Sequence, residues 1–538
     1  MPRTVQKTLR FPLAGVARRR GYRDHTKERP YAAPWAMNVR GEGPLESRDR
    51  GGSRPGLTKA NATKLGTTIT ALLPLTSIDA SNALQHDLII IADGILSYLR
   101  GAAISTVSAD LQWPDADTIL WDDGEDIVFD ATVSTSSPIG STGAYHAATR
   151  GGKLYLADSV LRVYDPNTGI IDPVTATDGT LPTSEPLVCL YRDRLILAGK
   201  NNIWHASRTS DVADYNYGAE ATDINRAVSG QLEHAGGIGA VPKAVIPHRD
   251  DVLVLACANS LWALRGDPTT GNMKVVSSEI GILAPKAWAK TPDGLMAFLS
   301  NDGVYVWDMG SSSKPTRFSE ERLPDELKNI SATDNIITMA YDSLERGFHL
   351  FITPTDGTTH THWWLDIKNR AMWPVSLHAD HQPLAVARLE TTGLADTLLG
   401  CKDGYLRKFS NASETDDSRT LNSHVLLGPF RIARNDTEDA MLSEIHGIMA
   451  DNDDFVDWRV VMGDSAEEVA DTAVTGINAV INGESPKGVS ADGRWEALRN
   501  KVARARSRGP WMIVWLSAVN KWSYEAVAIK AEQLGRLR

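Results

Sequence analysis

The chain has 538 residues, a hydrophobic fraction of 42% and a formal net charge of −11, which is enough apolar residue for real cores and room for two to four domains. No apolar run approaches the ~20 residues of a membrane helix, so stable membrane insertion is not expected. Cys189, Cys257 and Cys401 lie too far apart for a disulfide framework or a Cys-based metal site and are read as buried thiols.

Residues 1–60 contain 14 Lys/Arg against five Asp/Glu, a net of +9. Phe11 to Ala17 is short and broken by Pro12 and Gly15, so it does not resemble a secretory leader. Arg18, Arg19 and Arg20 form a basic cluster suited either to phosphate or to acidic neighbours. The Gly/Pro-rich stretch 41–56 leaves little room for a helix. An extended basic arm is predicted, without a core of its own, that finds its backbone partners elsewhere in the protein.

From residue 61 to about 415 one pattern recurs: strand, tight turn, strand. Its clearest copy is 294–310, GLMAFLSNDGVYVWDMG, where apolar and other residues alternate on both sides of Asn301-Asp302-Gly303. Further copies are 88–101 (LIIIADGILSYLRG), 153–169, 194–207, 251–268, a looser 347–374, and 397–410. Their starts are roughly 40–65 residues apart, and the lower end is the period of four-stranded propeller blades. Gly94, Gly303 and Gly404 are expected in the hairpin turns, where a positive φ costs glycine nothing. The prediction is a β-propeller of about six to eight blades, with unrelated hairpins in one or two sandwiches as the alternative. A short helix is expected at 319–329, limited by Pro324.

Residues 416–538 lose the repeat. Longer strands are predicted at 425–432, 443–450, 456–462, 511–519 and 524–530, forming a β-sandwich. Ser465-Ala466-Glu467-Glu468 is a capping-box pattern that opens one short helical turn. A basic loop carries Arg504, Arg506 and Arg508. Residues 495–538 sum to +6, which leaves −26 for the segment between the two basic ends.

Motifs for chemistry are sparse. His360 and His362 have strand spacing for a shared metal, but no third ligand is evident, and a polar hairpin tip is expected. Asp451-Asn452-Asp453-Asp454 and 122–126 (DDGED) lack calcium-loop spacing and read as solvated turns. There is no GxSxG, HExxH or GxxxxGK[ST] motif, and nothing singles out a carboxylate pair for glycoside hydrolysis. Trp204, Trp262, Trp307, Trp363 and Trp364 fall mostly on second hairpin strands, which fits blade packing, with a sugar-binding face as the alternative. Neither an enzyme nor a cofactor is expected.

The N-terminal run NVRGEGPLESRDRGGSRPGL, and the closing pattern WLSA followed by WSYEAVAIKAEQLGRLR, resemble tail proteins of tailed bacteriophages. The fit is best to the nozzle-type tail tubular protein of short-tailed phages. That resemblance implies an outer β-propeller and a platform built from both chain ends. It further implies a structural subunit of the virion tail, in a homo-oligomeric ring, a hexamer by likeness, through which double-stranded DNA passes without specific binding. A portal adaptor and tail-fibre or tail-tip proteins are the implied neighbours. Arg18, Arg19, Arg20, Arg504, Arg506 and Arg508 are the expected contacts to neighbouring subunits or to the adaptor. A propeller that binds receptors or glycans, and a propeller enzyme, are the alternatives.

Overall fold

A computed structural model describes residues 4–17, 32–41, 50–79, 81–100, 103–106, 145–158, 160–234, 237–238, 240–311, 313–318, 327–328, 330–391, 394–435, 438–449, 455–495 and 501–536. Arg18–20, the acidic runs 122–126 and 451–454, and most of the helix predicted at 319–329 lie outside the described residues.

Seven antiparallel sheets of four strands make a seven-bladed β-propeller. Blades one to six use consecutive segments: 69–106, 146–173, 187–231, 242–277, 288–317 and 335–375. Blade seven uses 383–410, and its outer strand is Gly56–Lys59, paired antiparallel with Leu406–Ser410. A strand placed by the sequence reading in the arm therefore closes the propeller. The physical reason is that outer strands are short and need only one partner, so four residues of GLTK carry too little pattern to announce themselves.

Each repeated hairpin of the sequence is the second and third strand of one blade. Leu295–Ser300 against Gly303–Asp308 is one example, and Val252–Cys257 against Leu261–Arg265 is another. These middle strands are apolar on both faces because a blade is packed on both sides. Val252–Cys257 is buried throughout. Apolar cores join neighbours around the circle: Leu88 and Ile90 of blade one meet Ala385 and Leu398 of blade seven, and Leu96 meets Tyr145 and Leu156 of blade two. The Trp side chains at 204, 262, 307, 363 and 364 are all buried between blades or against the platform. They are packing residues.

The platform is a sandwich of two sheets. The larger has seven strands and draws on both chain ends: Thr4–Arg10, Val39–Gly41 and Gly51–Ser53 join Glu438–Met449, Lys501–Ala503, Ser507–Arg508 and Ser523–Arg536. Thr4 to Arg10 lies antiparallel along Glu532 to Ala526, so the first and last strands are neighbours. The smaller sheet adds Ala36–Met37 to Ser423–Arg431, Trp511–Ala518, Val456–Gly463 and Ala491–Trp495. Leu442, Ile445, Val527 and Ile529 face Val425, Leu427, Val460 and Val514 in the core between them.

One difference from the sequence reading is large. The predicted single turn at Ser465 is a 16-residue helix, Ala466–Ile481. Ser465 accepts the Glu468 N–H at 3.1 Å, and the Glu468 carboxylate accepts the Asp464 N–H at 2.8 Å. Thr472, Val474, Thr475 and Gly476 have weak helix propensity, which hid the helix. Tertiary packing decides instead: Val469, Ala473 and Ile477 cover Leu426, Val461, Ile513 and Trp515 on the outer face of the smaller sheet. That second cover explains the unbroken apolar run in Trp511–Ala518.

Candidate functional site

Three regions could carry function: the joint between propeller and platform, the basic edge of the platform, and the propeller axis.

The joint is continuous with both bodies. The arm runs along the outer strand of blade six, Ala371–Val375: the Val16 N–H donates to Met372 O at 3.0 Å, and Asn38 N–H to Pro374 O at 3.0 Å. Gly15 has φ 75°, and a Cβ there would lie 2.7 Å from the Met372 backbone, so only glycine permits this approach. Phe11 sits between Trp373 of the propeller and Tyr524 of the last strand, with ring centroids 5.3 and 5.5 Å away.

Arg54 is 2% exposed and ties the joint together. Its guanidinium donates to Asp416 at 2.9 and 2.5 Å, to Asn38 Oδ1 at 3.0 Å, to Pro55 O at 2.8 Å and to Ser376 O at 2.9 Å. The planar fork suits a bidentate carboxylate, and the remaining donors find carbonyls. Nearby, Arg40 reaches Glu345 at 3.3 Å and lies over the Trp364 ring at 5.0 Å. Behind it His349 faces Asp342 at 3.5 Å. Burial pushes the His349 pKa down; Asp342, despite its own desolvation, is held at about 2, where its carboxylate lies beside His349, accepts the Leu344 and Glu345 N–H groups at 2.9 and 3.1 Å and feels the Arg40 charge. Sequence reasoning missed this cluster because its members are spread from Asn38 to Asp416. The only available signal was the pairing of an irregular arm with a distant partner.

The basic edge is formed by Lys501–Ala503 and Ser507–Arg508, two short strands on the rim of the seven-stranded sheet beside Glu438–Met449. Arg504 and Arg506 are exposed, and Val502 is 56% exposed beside them. Arg508 is engaged in its own chain, with Nε 2.5 Å from Asp439 Oδ2, although the residue stays largely exposed. The structure thus groups Arg504 and Arg506 on one surface and assigns Arg508 an internal partner.

The turn glycines have φ of 78° at Gly94, 132° at Gly303 and 78° at Gly404. Asn301 and Asp302 are the two turn residues, and Gly303 opens the return strand opposite Ser300. At Gly404 a Cβ would fall 2.0 Å from Gly66 O.

His362 is not at a hairpin tip. It lies in the third strand of blade six, fully buried, and its Nδ1 accepts the Ile352 N–H at 3.1 Å. Burial, with the nearby His360, Arg54 and Lys402 charges, holds it neutral down to about 3. Among the described residues no three His, Cys, Asp or Glu side chains cluster as metal ligands. The three cysteines are free and buried. Desolvation pushes Cys189 and Cys401 far above the usual thiol range, so neither is a ready nucleophile. Among the described residues no helix is long and apolar enough to cross a membrane.

No protein-family model matches the chain, and no curated protein matches it. Among solved structures, the extracellular domain of a putative hybrid two-component system from B. thetaiotaomicron is 12% identical at a TM-score of 0.41. The match takes in 67% of this chain and spans 40% of the length of that one. The WD40 β-propeller domain of Doa1 is 12% identical at 0.37, over 66% of this chain and 98% of that chain. YCF48 bound to D1 peptide is 12% identical at 0.37, over 67% and 96%. These likenesses concern the fold alone, and this chain is a β-propeller protein with a second, sandwich domain woven from both of its ends.

Proposed function

We propose that the chain is a structural subunit of a bacteriophage tail: one copy of a nozzle ring through which double-stranded DNA leaves the virion. The observation that carries this reading is the weave of the platform. First and last strands are neighbours in one sheet, and the arm between them closes blade seven. A subunit built this way resists being pulled apart, because separating propeller from platform breaks strand pairing, the Phe11 contacts and the buried Arg54–Asp416 pair together. The layout is also the one that the sequence resemblance to nozzle proteins implies.

In this reading the platform makes the ring. Its rim offers short edge strands, exposed Arg504 and Arg506, and exposed Val502, a mixture suited to a neighbouring copy with an acidic face. The remainder of the chain, at net −26, supplies such faces and repels DNA from any wall it lines. DNA then passes without being held, since each neutralised phosphate would add salt-dependent affinity. The adaptor above and the fibre or tip proteins around the ring are its other partners, and the subunit has no catalytic role.

Immunogold labelling of phage particles with an antibody to this chain tests the assignment. Gold at the free end of the tail is expected. Particles that lack the chain, or carry it only inside the capsid, overturn it.

A further inference from the structure

The two platform sheets differ on their outer faces. The smaller one is covered by the helix Ala466–Ile481. The outer face of the larger one is bare among the described residues, and register and burial define it. Thr8 pairs with Ala528, Ala528 with His446, and His446 with Val502, one row across four strands. Their strand neighbours Leu9, Val527, Ile529 and Ile445 turn into the core, so by the two-residue period this row points away from it. Thr8 and Val502 are exposed, and Ala528 and His446 are half-buried. In the next row Gln6 lies opposite Lys530 and Lys530 opposite Glu444, with Lys530 Nζ 3.5 Å from Glu444 Oε2. The centre of the face is therefore small and close to neutral. Its rim is basic: Arg504 and Arg506 are exposed on either side of buried Ala505, and neither is in an ion pair among the described residues.

The helix on the other side of the sandwich has the matching surface. Glu467, Asp471, Thr475 and Asn478 are exposed and form one stripe, opposite the buried Val469, Ala473 and Ile477. The helix contains no Lys or Arg. Lys487, in the loop that returns beside Gly476, is taken up by Glu484 at 2.7 Å. The stripe is thus acidic in its first two turns and uncharged beyond them. A helix of 16 residues is about 24 Å long, and three strand spacings take about 14 Å, so it can cross the bare face and reach the arginines at the rim. Stripe and bare face lie on opposite sides of one sandwich and cannot meet within a copy. Complementary surfaces placed this way make a head-to-tail contact, the kind that closes into rings.

We propose that the bare face of the seven-stranded sheet is the docking site for the helix Ala466–Ile481 of a second copy, with Glu467 and Asp471 set against Arg504 and Arg506. The inference rests on the ring reading above and names the two surfaces that make the ring. Each helix then lies between its own smaller sheet and its neighbour's larger one, so both sheets of every platform are covered. The small row Thr8, Ala528, His446 and Val502 leaves room for the helix to lie close, and the opposed charges at the rim set its direction.

The test uses the full-length protein carrying both Thr475→Cys and Val502→Cys, concentrated and treated with a short bismaleimide. The three native thiols are buried, so the unaltered protein is the blank. A ladder of cross-linked copies is expected from the double variant. Neither single variant should give one, because a head-to-tail contact never sets a residue against itself. Cross-linking of Val502→Cys alone, which means rim against rim, overturns the proposal. So does the absence of a ladder from preparations whose native mass shows rings; there the ring stands and only this interface falls. No assembly at any concentration removes both. Charge reversal is the second arm, with Glu468 left in place because its carboxylate accepts the Asp464 N–H. Glu467→Lys with Asp471→Lys should raise the concentration needed for assembly roughly tenfold or more, since like charges then face each other. Adding Arg504→Glu and Arg506→Glu to that variant should restore it. An unchanged threshold in the first variant, or no recovery in the second, overturns the pairing.

Discussion

Replacing Arg54 by Met removes a cation that is 2% exposed and leaves the Asp416 carboxylate, 5% exposed, without its bidentate partner. Asn38 Oδ1 and Ser376 O each lose a donor as well. Breaking one side of a buried pair costs about 3–5 kcal/mol, most of it the penalty of the stranded charge. The double variant Arg54→Met/Asp416→Leu removes both charges and should recover about 1–3 kcal/mol of that loss, because neighbours in one network are not additive. Lys487→Met is the control: its pair with Glu484 is largely exposed, and its loss should stay within about 0.5 kcal/mol. With two domains a single unfolding free energy is poorly defined, so native-state hydrogen exchange is the better assay. Arg54→Met should raise exchange first in Gly56–Lys59, in Leu406–Ser410 and in the arm beside Ala371–Val375, while blades two to four stay protected. A loss below about 1 kcal/mol, or equal loosening of all seven blades, would refute the view that Arg54 locks the joint.

The remaining predictions concern turns, acid, truncation and charge. Gly404→Ala places a Cβ against Gly66 O at positive φ and should cost about 2 kcal/mol or more, whereas Gly303→Val, at φ 132°, should cost about 1 kcal/mol or more; unchanged melting temperatures count against both turn assignments. His362 and His424 accept hydrogen bonds at Nδ1 from Ile352 N and Trp515 Nε1, and burial holds them neutral down to about 3 and about 4. The unfolded chain takes up those protons near pH ~6.5, so stability should fall as pH drops from there toward about 4, by about 1.4 kcal/mol per unit for each histidine. Flat stability over that range contradicts it. Deleting residues 1–50 should expose the platform strands and the outer strand of blade six to exchange and spare the other blades, while deleting 1–60 should also open blade seven; equal protection in both truncations rules out the shared strands. The isolated protein should bind duplex DNA weakly at physiological salt and without sequence preference, and tight selective binding in a filter or anisotropy assay would contradict passage without retention.

Much of the fold was legible because strand alternation is local. All seven second-and-third strand pairs announced themselves through runs such as LIIIADGILSYL, and the platform strands did so through apolar runs such as MIVWLSA. The outer strand Gly56–Lys59 was not legible, because its partner lies some 350 residues away at Leu406–Ser410. The helix Ala466–Ile481 was hidden by β-branched residues and by a stripe of small ones whose purpose is a close fit to Trp515. His362 was misplaced since THTHWW shows no sign of which face will be covered. Arg54 is a single basic residue in an unremarkable setting, RPGL. What gives it a role is the company that the fold brings from elsewhere, above all Asp416.

The ring is the central claim, and native mass measurement with electron microscopy of the concentrated, purified protein tests it most directly. The account predicts closed rings of identical copies with an open lumen, joined through their platforms, and loss of those rings when Arg504 and Arg506 are both replaced by Glu. A protein that remains monomeric at every concentration, or rings that persist unchanged in the Glu variant, would contradict it.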